Sequence, residues 1–290
     1  MIAAHATAAK ERWVRIVNSC GFDALPSDIG HLMVQKAMKE RHGVYSSNVS
    51  MRVTRVVNGE FSGGTLASAF NNMEIVTSSK DKPAMVTNPN ALVPAEEGVN
   101  TPASNVKGPR WDRSLGKWTA PYLLAAYNSQ IVRRSNALAG FPYGRDFQYG
   151  EGVATGTGPR GWLRAFMATV SMNIFVIGAM LRPTRAIMRR MMRKPGEGPS
   201  KQKRDKGSYR ILFSAHHPDN ASVITQLQYD GERDPGYGST CRLIAECAVR
   251  LAVDDDVEKV PGGFWTPASC LGEGLAERLE KNAGIKFTVL

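Results

Sequence analysis

The stretch WVRIVNSCGFDALPSDIG, Trp13 to Gly30, constrains this chain more than any other. Trp13, Val14, Ile16 and Val17 give a short apolar strand that ends at Cys20. A helix is expected from Pro26, with Gly21 and Asp23 in the elbow between them. In α/β proteins the crevice beyond the carboxyl end of such a strand is where cofactors sit. Here the elbow comes only about 20 residues into the chain, with no earlier element to complete a nucleotide site.

A chain of 290 residues can bury a sizeable core. Its four cysteines, Cys20, Cys241, Cys247 and Cys270, form no CxxC pair, and its five histidines supply no HExxH. A structural zinc site is therefore not expected, and a reducing compartment fits better than a disulfide framework. Residues 1–20 carry no apolar run of the kind a secretory signal needs.

Helices are expected over Pro26 to Arg41, capped by Asp23 or Ser27, and over Thr119 to Ser135, with Thr119 as cap and Pro121 in the first turn. A strand runs from Asn48 to Val57 and a helix follows FSGG. Lys80 to Arg113 is rich in Pro, Asn, Gly and charge and reads as irregular, a lid, a binding loop or disorder, mobile or loosely packed. Ser208 to His217 and Ala221 to Tyr229 form an antiparallel hairpin, and Gly238 to Val253 a helix. Thr266-Pro267 opens the last helix, Gly284 ends it, and Ile285 to Leu290 is a strand. The expected fold is α/β with an α+β tendency: a mixed sheet with flanking helices.

Charge is distributed unevenly. Between Gly152 and Gly196 there is no Asp or Glu, and this window holds eight of the net +11 charges. Within it, Ala165 to Leu181 is uncharged for 17 residues, roughly 25 Å as a helix. That is short of a bilayer core of about 30 Å, which takes about 20 residues. Arg182, Arg185, Arg189 and Arg193 then recur at helical spacing. The basic apolar segment 160–194 suits an anionic lipid surface better than a buried core helix followed by a solvated charge run. Nucleic acid is disfavoured, because the aromatic residues do not alternate with the arginines.

GTGPRG, with Gly156, Gly158 and Gly161, matches GxGxxG by letter. Pro159 removes an amide donor and no acid lies in residues 176–185, so a flexible linker is the better reading. Tyr143, Asp146, Tyr149 and Glu151 cluster in YGRDFQYGEG, where a surface loop is weighed against an acid–base set.

SCGFDALPSDIG resembles the saccharopine dehydrogenase-like oxidoreductases, including the trans-acting enoyl reductases. The match continues in order through SGGTLAS at Ser62, IVRRSNAL at Ile131, the aromatic and acidic pattern over Tyr143 to Glu151, KPGEGPS at Lys194, GERDPGYGST at Gly231 and GGFWTPASCLGEGL at Gly262. The resemblance implies a Rossmann domain of about 150 residues before the elbow, holding NAD(P). On that basis residues 1–25 are a remnant of the last strand region of the nucleotide domain, and 26–290 form the substrate-side domain. The elbow is then the seam between them, with Cys20, Gly21, Asp23, Ser27 and Asp28 on the cofactor-facing edge and no catalytic residue assigned. Such a chain reads as a fragment of a lipid-related oxidoreductase whose parent uses NAD(P)H, and by itself it is expected to bind none. The alternative is a catalytically inactive lipid-surface or partner-binding protein of the same fold. Either reading implies an intracellular protein at a membrane or lipid droplet; a homo-oligomer stays open.

Overall fold

The computed structural model describes residues 1–60, 63–77, 88–191 and 197–290. Strand β1 (Arg15–Val17) follows helix α1 (Ile2–Glu11) and pairs in parallel with β8 (Gly263–Trp265), Arg15 opposite Gly263. These two strands stand apart from a seven-stranded sheet. That sheet is built from β2 (Asn48–Val57), β3 (Arg110–Asp112), β4 (Lys117–Ala120), β5 (Gln148–Gly156), β6 (Ser208–His216), β7 (Ile224–Glu232) and β9 (Ile285–Val289). Their order is β3-β4-β5-β2-β6-β7-β9, with β2–β5 parallel and the other pairs antiparallel. The expected mixed sheet with flanking helices is what forms.

Alternation in β2 decides the two faces. Val49, Met51 and Val53 are buried against helix α2 (Leu25–His42) and join Tyr149, Phe213, Leu227 and Tyr229 in the core. Helices α8 (Thr240–Val253) and α10 (Pro267–Asn282) add Leu243, Cys247, Leu271, Leu275 and Leu279 to it. The opposite face is polar and opens on a cavity of about 610 Å³ lined by Ser50, Arg52, Asp112, Gln148 and His216. Gly150 is required there, because a Cβ would lie 2.2 Å from the Ser104 carbonyl oxygen.

Several elements match their expectation closely. The β6–β7 hairpin pairs Ser208 with Glu232 through His216 with Ile224. Thr266 and Ser269 close a capping box on α10, satisfying amides that the helix itself cannot. Gly43, in the left-handed conformation at φ 74°, ends α2.

Others differ. Thr119 lies in β4, and the helix, α4 (Ala125–Leu138), begins six residues later with Leu124 as its cap. Pro121 therefore ends a strand rather than opening a helix. The cap of α2 is Ala24, and neither Asp23 nor Ser27 serves it. Of the irregular stretch, Lys80 to Thr87 lies outside the described residues, but residues 88–109 are pinned rather than loose. Asn90, Val93, Thr101 and Val106 are buried. Arg133 donates to Asn90 Oδ1, Thr101 O and Pro102 O, and Arg134 to Leu92 O. Two buried guanidiniums on α4 replace the apolar area this stretch lacks.

GTGPRG is likewise no flexible linker. Gly156 ends β5 and Gly158 opens helix α5 (Gly158–Met180). A Cβ on Gly161 would lie 2.4 Å from Gly156 O, so strand and helix are in contact there. Helix α6 (Arg182–Met191) turns back from α5, and helix α3 (Gly63–Thr77) packs beneath both. A short helix, α7 (Lys201–Asp205), precedes β6, and another, α9 (Asp255–Glu258), follows α8.

Candidate functional site

The elbow turns at Ser19, whose φ of 65° is a left-handed conformation that a serine rarely adopts. Its Oγ lies 2.7 Å from the Tyr127 hydroxyl on α4. The next turn leans on the chain before α8. Phe22 N donates to Thr240 Oγ1 at 3.2 Å, and the Phe22 ring meets Tyr209 edge-on at 4.7 Å. Asp234 shapes that chain by accepting from Tyr237 N and Gly238 N. The segment GERDPGYGST thus forms the elbow's second wall.

Asp28 is fully buried and does not face the elbow's opening. It accepts from the Ser135 hydroxyl and, at 2.8 Å, from Ala268 N in the first turn of α10. Ser135 Oγ also lies 2.6 Å from Thr266 Oγ1. The carboxylate therefore ties α2 to α4 and to the amino end of α10, where the helix dipole favours negative charge. Burial nonetheless outweighs these bonds and pushes Asp28 up to about 6. Its placement on a cofactor-facing edge is corrected: Asp28 is an internal clamp.

Ser27 is buried as well, and accepts from Asn128 Nδ2 at 3.1 Å. The same amide donates to Glu151 Oε2 at 2.9 Å, while Tyr149 OH donates to Glu151 Oε1 at 2.9 Å. Ser27 too is thus inside rather than at the edge. Glu151 and Tyr149 lie on the core face of β5, so of the two readings weighed for them the surface loop does not hold. Desolvation pushes Glu151 up to about 7, so near neutral pH this carboxyl retains a proton for part of the time. Asn128 Oδ1 is buried beside it without a hydrogen-bond partner. Tyr122 interacts electrostatically with both Glu151 and Asp23, and burial raises its phenol far above the usual range. Partial desolvation also raises Asp23, although the residue is exposed at the edge. A string of groups that favour their protonated forms thus runs from the elbow inward.

Cys20 completes the edge. Its thiol is drawn below its ordinary value chiefly by a hydrogen bond with Cys247, whose own thiol is raised. Cys20, Gly21 and Asp23 are the predicted residues that reach the half-exposed edge. They do not make a pyrophosphate cradle. The Phe22 amide is taken by Thr240, Gly21 O accepts from Ala24 N and Leu25 N, and a Cβ on Gly21 would lie 3.4 Å from the Thr240 side chain. At GTGPRG the strand and helix of a dinucleotide fingerprint are present, but Pro159 and the missing acid remain. The described residues do not fit a whole NAD(P). Among them no three His, Cys, Asp or Glu side chains group to hold a metal.

Four of the sequence blocks converge here. IVRRSNAL supplies Ser135 to Asp28 and sends Arg134 to Phe264 O of β8 at 2.8 Å. YGEG supplies Glu151, GERDPGYGST supplies Thr240, and GGFWTPAS supplies Thr266 and Ala268. Ser62 of SGGTLAS and Lys194 to Gly196 of KPGEGPS lie outside the described residues.

No family model matches the chain. No solved structure matches it either. Among curated proteins it is 34% identical over 283 residues, 93% of this chain, to a Mycobacterium tuberculosis protein described as a trans-acting enoyl reductase. It is 29% identical over 300 residues to a trans-acting enoyl reductase of Mycobacterium ulcerans, and 28% over 280 residues to one of Mycobacterium bovis, again with 93% of this chain covered. The chain spans 66% of the length of each of these relatives. It is a homologue of the trans-acting enoyl reductases.

Proposed function

We propose that the chain is the substrate-side portion of an oxidoreductase of lipid-related metabolism, of saccharopine dehydrogenase-like type. The observation that carries this reading is the similarity to trans-acting enoyl reductases over 93% of the chain. The convergence of the matching blocks on one elbow supports it. Reduction of an enoyl group needs a hydride at one carbon and a proton at its neighbour, and NAD(P)H is the cofactor that supplies such a hydride when bound. The contribution proposed for this chain is the proton side. Asp23 lies in the elbow, Tyr122 interacts electrostatically with both Asp23 and Glu151, and Glu151 holds a proton for part of the time near neutral pH.

In this reading the nucleotide is gripped by residues other than these and meets this chain at the edge of β1. A two-stranded parallel sheet is marginal by itself and normally belongs to a larger, covered sheet. Trp13 and Val14 just before β1 are strongly exposed, as expected of a surface that receives more structure.

Calorimetric titration of residues 1–290 with NADH and NADPH is expected to show no saturable binding. A chimaera carrying the remaining third of one of the M. tuberculosis relatives should bind one of the two cofactors and oxidise it with an enoyl thioester. Micromolar binding by residues 1–290 alone would place the cofactor site in this chain and overturn the seam. A chimaera that binds cofactor but reduces no enoyl thioester would overturn the enzymatic reading.

A further inference from the structure

Helix α5 is built the wrong way round for a core helix. The residues it buries are small: Gly161, Ala165, Thr169 and Ala179. The residues it exposes are large. Leu163, Phe166, Val170, Ile174, Ile177 and Leu181 all face outward, with Ile174 67% and Ile177 58% exposed. At about 100° per residue these six lie within about 80° of arc and extend for roughly 27 Å. Contiguous exposed apolar surface rimmed by polar residues is where proteins meet other proteins or membranes.

The strip is framed by positive charge. Arg160 and Arg164 are exposed near the start of α5, and Arg182, Arg189 and Arg190 on α6, with no acid anywhere from Gly152 to Gly196. Ile187 and Met191 extend the apolar surface onto α6. Arg185, expected from its spacing to face outward, is buried instead; its Nη1 donates to Ala179 O at 3.1 Å, while Thr184 Oγ1 donates to Leu181 O. That guanidinium fastens the corner between α5 and α6. Phe175 meets Phe70 of α3 at 6.3 Å, and Arg189 pairs with Glu74 at 2.9 Å, so α3 braces the corner from below.

Helix α5 is long and apolar enough to cross a membrane on its own, but its small-residue side is packed on β4 and β5. Leaving that packing would strip both partners. The geometry points to α5 and α6 as a monotopic seat on an anionic lipid surface, lying in its plane with the apolar strip buried about 5–10 Å deep. The surface is independent of the oxidoreductase reading, which its failure would leave untouched.

Flotation of residues 1–290 with vesicles tests this. Phosphatidylcholine vesicles containing a quarter phosphatidylglycerol should carry the protein up the gradient at low salt, and phosphatidylcholine alone should carry much less. Raising the salt should weaken but not abolish binding, since the charge attraction is screened over about 8 Å at physiological ionic strength while apolar burial is not. Joint replacement Ile174→Glu and Ile177→Glu should abolish flotation. The set Arg160→Gln, Arg164→Gln, Arg182→Gln and Arg190→Gln should lower partitioning to anionic vesicles on the order of 10³-fold. All these positions are exposed, and near-ultraviolet circular dichroism should show the fold unchanged. Failure of the wild type to float, or equal flotation of the Ile174→Glu, Ile177→Glu protein, would overturn the proposal. So would a dimer of this chain that those two substitutions dissociate and that binds no vesicle, since the strip would then belong to a second copy.

Discussion

Asp28→Ala is expected to lower the unfolding free energy by roughly 3 kcal/mol at pH 5.5, measured by urea denaturation. The substitution leaves the part-buried Ala268 N–H without this acceptor and removes one partner of the Ser135 hydroxyl. Each unsatisfied buried donor costs about 1–3 kcal/mol, and the lost carboxyl volume adds a cavity. Against a total stability of about 5–15 kcal/mol that is a large fraction. Asp28→Asn retains an acceptor and the volume, and should cost less than half as much. The comparison separates a clamp from a surface carboxylate, whose removal would shift stability by at most about 0.5 kcal/mol in either direction. An Ala variant in that narrow range would remove Asp28 from the account of how α2, α4 and α10 are joined.

The second large effect is on pH dependence. Glu151 rises from 4.5 in the unfolded chain to about 7 in the fold. Between those values the folded state holds a proton that the unfolded state has released. The stability from this group is therefore fully present below pH 4.5 and is lost as pH rises through 7. The swing is roughly 3 kcal/mol, at about 1.4 kcal/mol per pH unit. Asp28, raised from 3.8 to about 6, acts in the same direction over a lower window. These two carboxyls therefore favour pH 5 over pH 8, while His31, held down to about 3 by burial, acts the other way as pH falls below 6.5. Glu151→Gln, which cannot ionise, should gain on the wild type by up to about 3 kcal/mol as pH rises from 4.5 to 8. Parallel stability curves for the two proteins would mean that Glu151 is ionised throughout and holds no proton for chemistry.

Local chemistry made part of this molecule legible in advance. Thr266-Pro267 and Gly43 mark helix ends because the backbone there makes demands that only certain residues meet. The β6–β7 hairpin is local and its alternation is clean. Thr119-Ala120-Pro121 misled because a hydroxyl before a proline suits a helix start, whereas pairing with β5, more than 30 residues away, holds it in a strand. Asp28 and Glu151 misled for a related reason. Charged residues near glycine suggest a surface, and only the partners brought in from α4, β5 and α10 show that they are enclosed. Arg185 shares its spacing with exposed arginines, and nothing in that spacing reveals that one of them turns inward to an open carbonyl. The elbow itself was visible, together with Cys20, Gly21 and Asp23 on its rim; the roles of Ser27 and Asp28 depended on contacts that the spacing does not encode.

The position of β2 at the centre of the sheet has a consequence for how the chain comes into being. Its parallel neighbour begins at Gln148 and its antiparallel neighbour at Ser208, some 100 and 160 residues further on. Pairings so distant in sequence close slowly, because the loop entropy is lost before any contact forms. A ribosome adding about 5–20 residues each second would expose β2 and α2 for seconds before either neighbour emerged. The apolar strip of α5 leaves the ribosome between the two. The interval before β6 arrives is therefore when a nascent chain would most need a chaperone, or a lipid surface, to keep its unpaired edge and its bare helix from other chains.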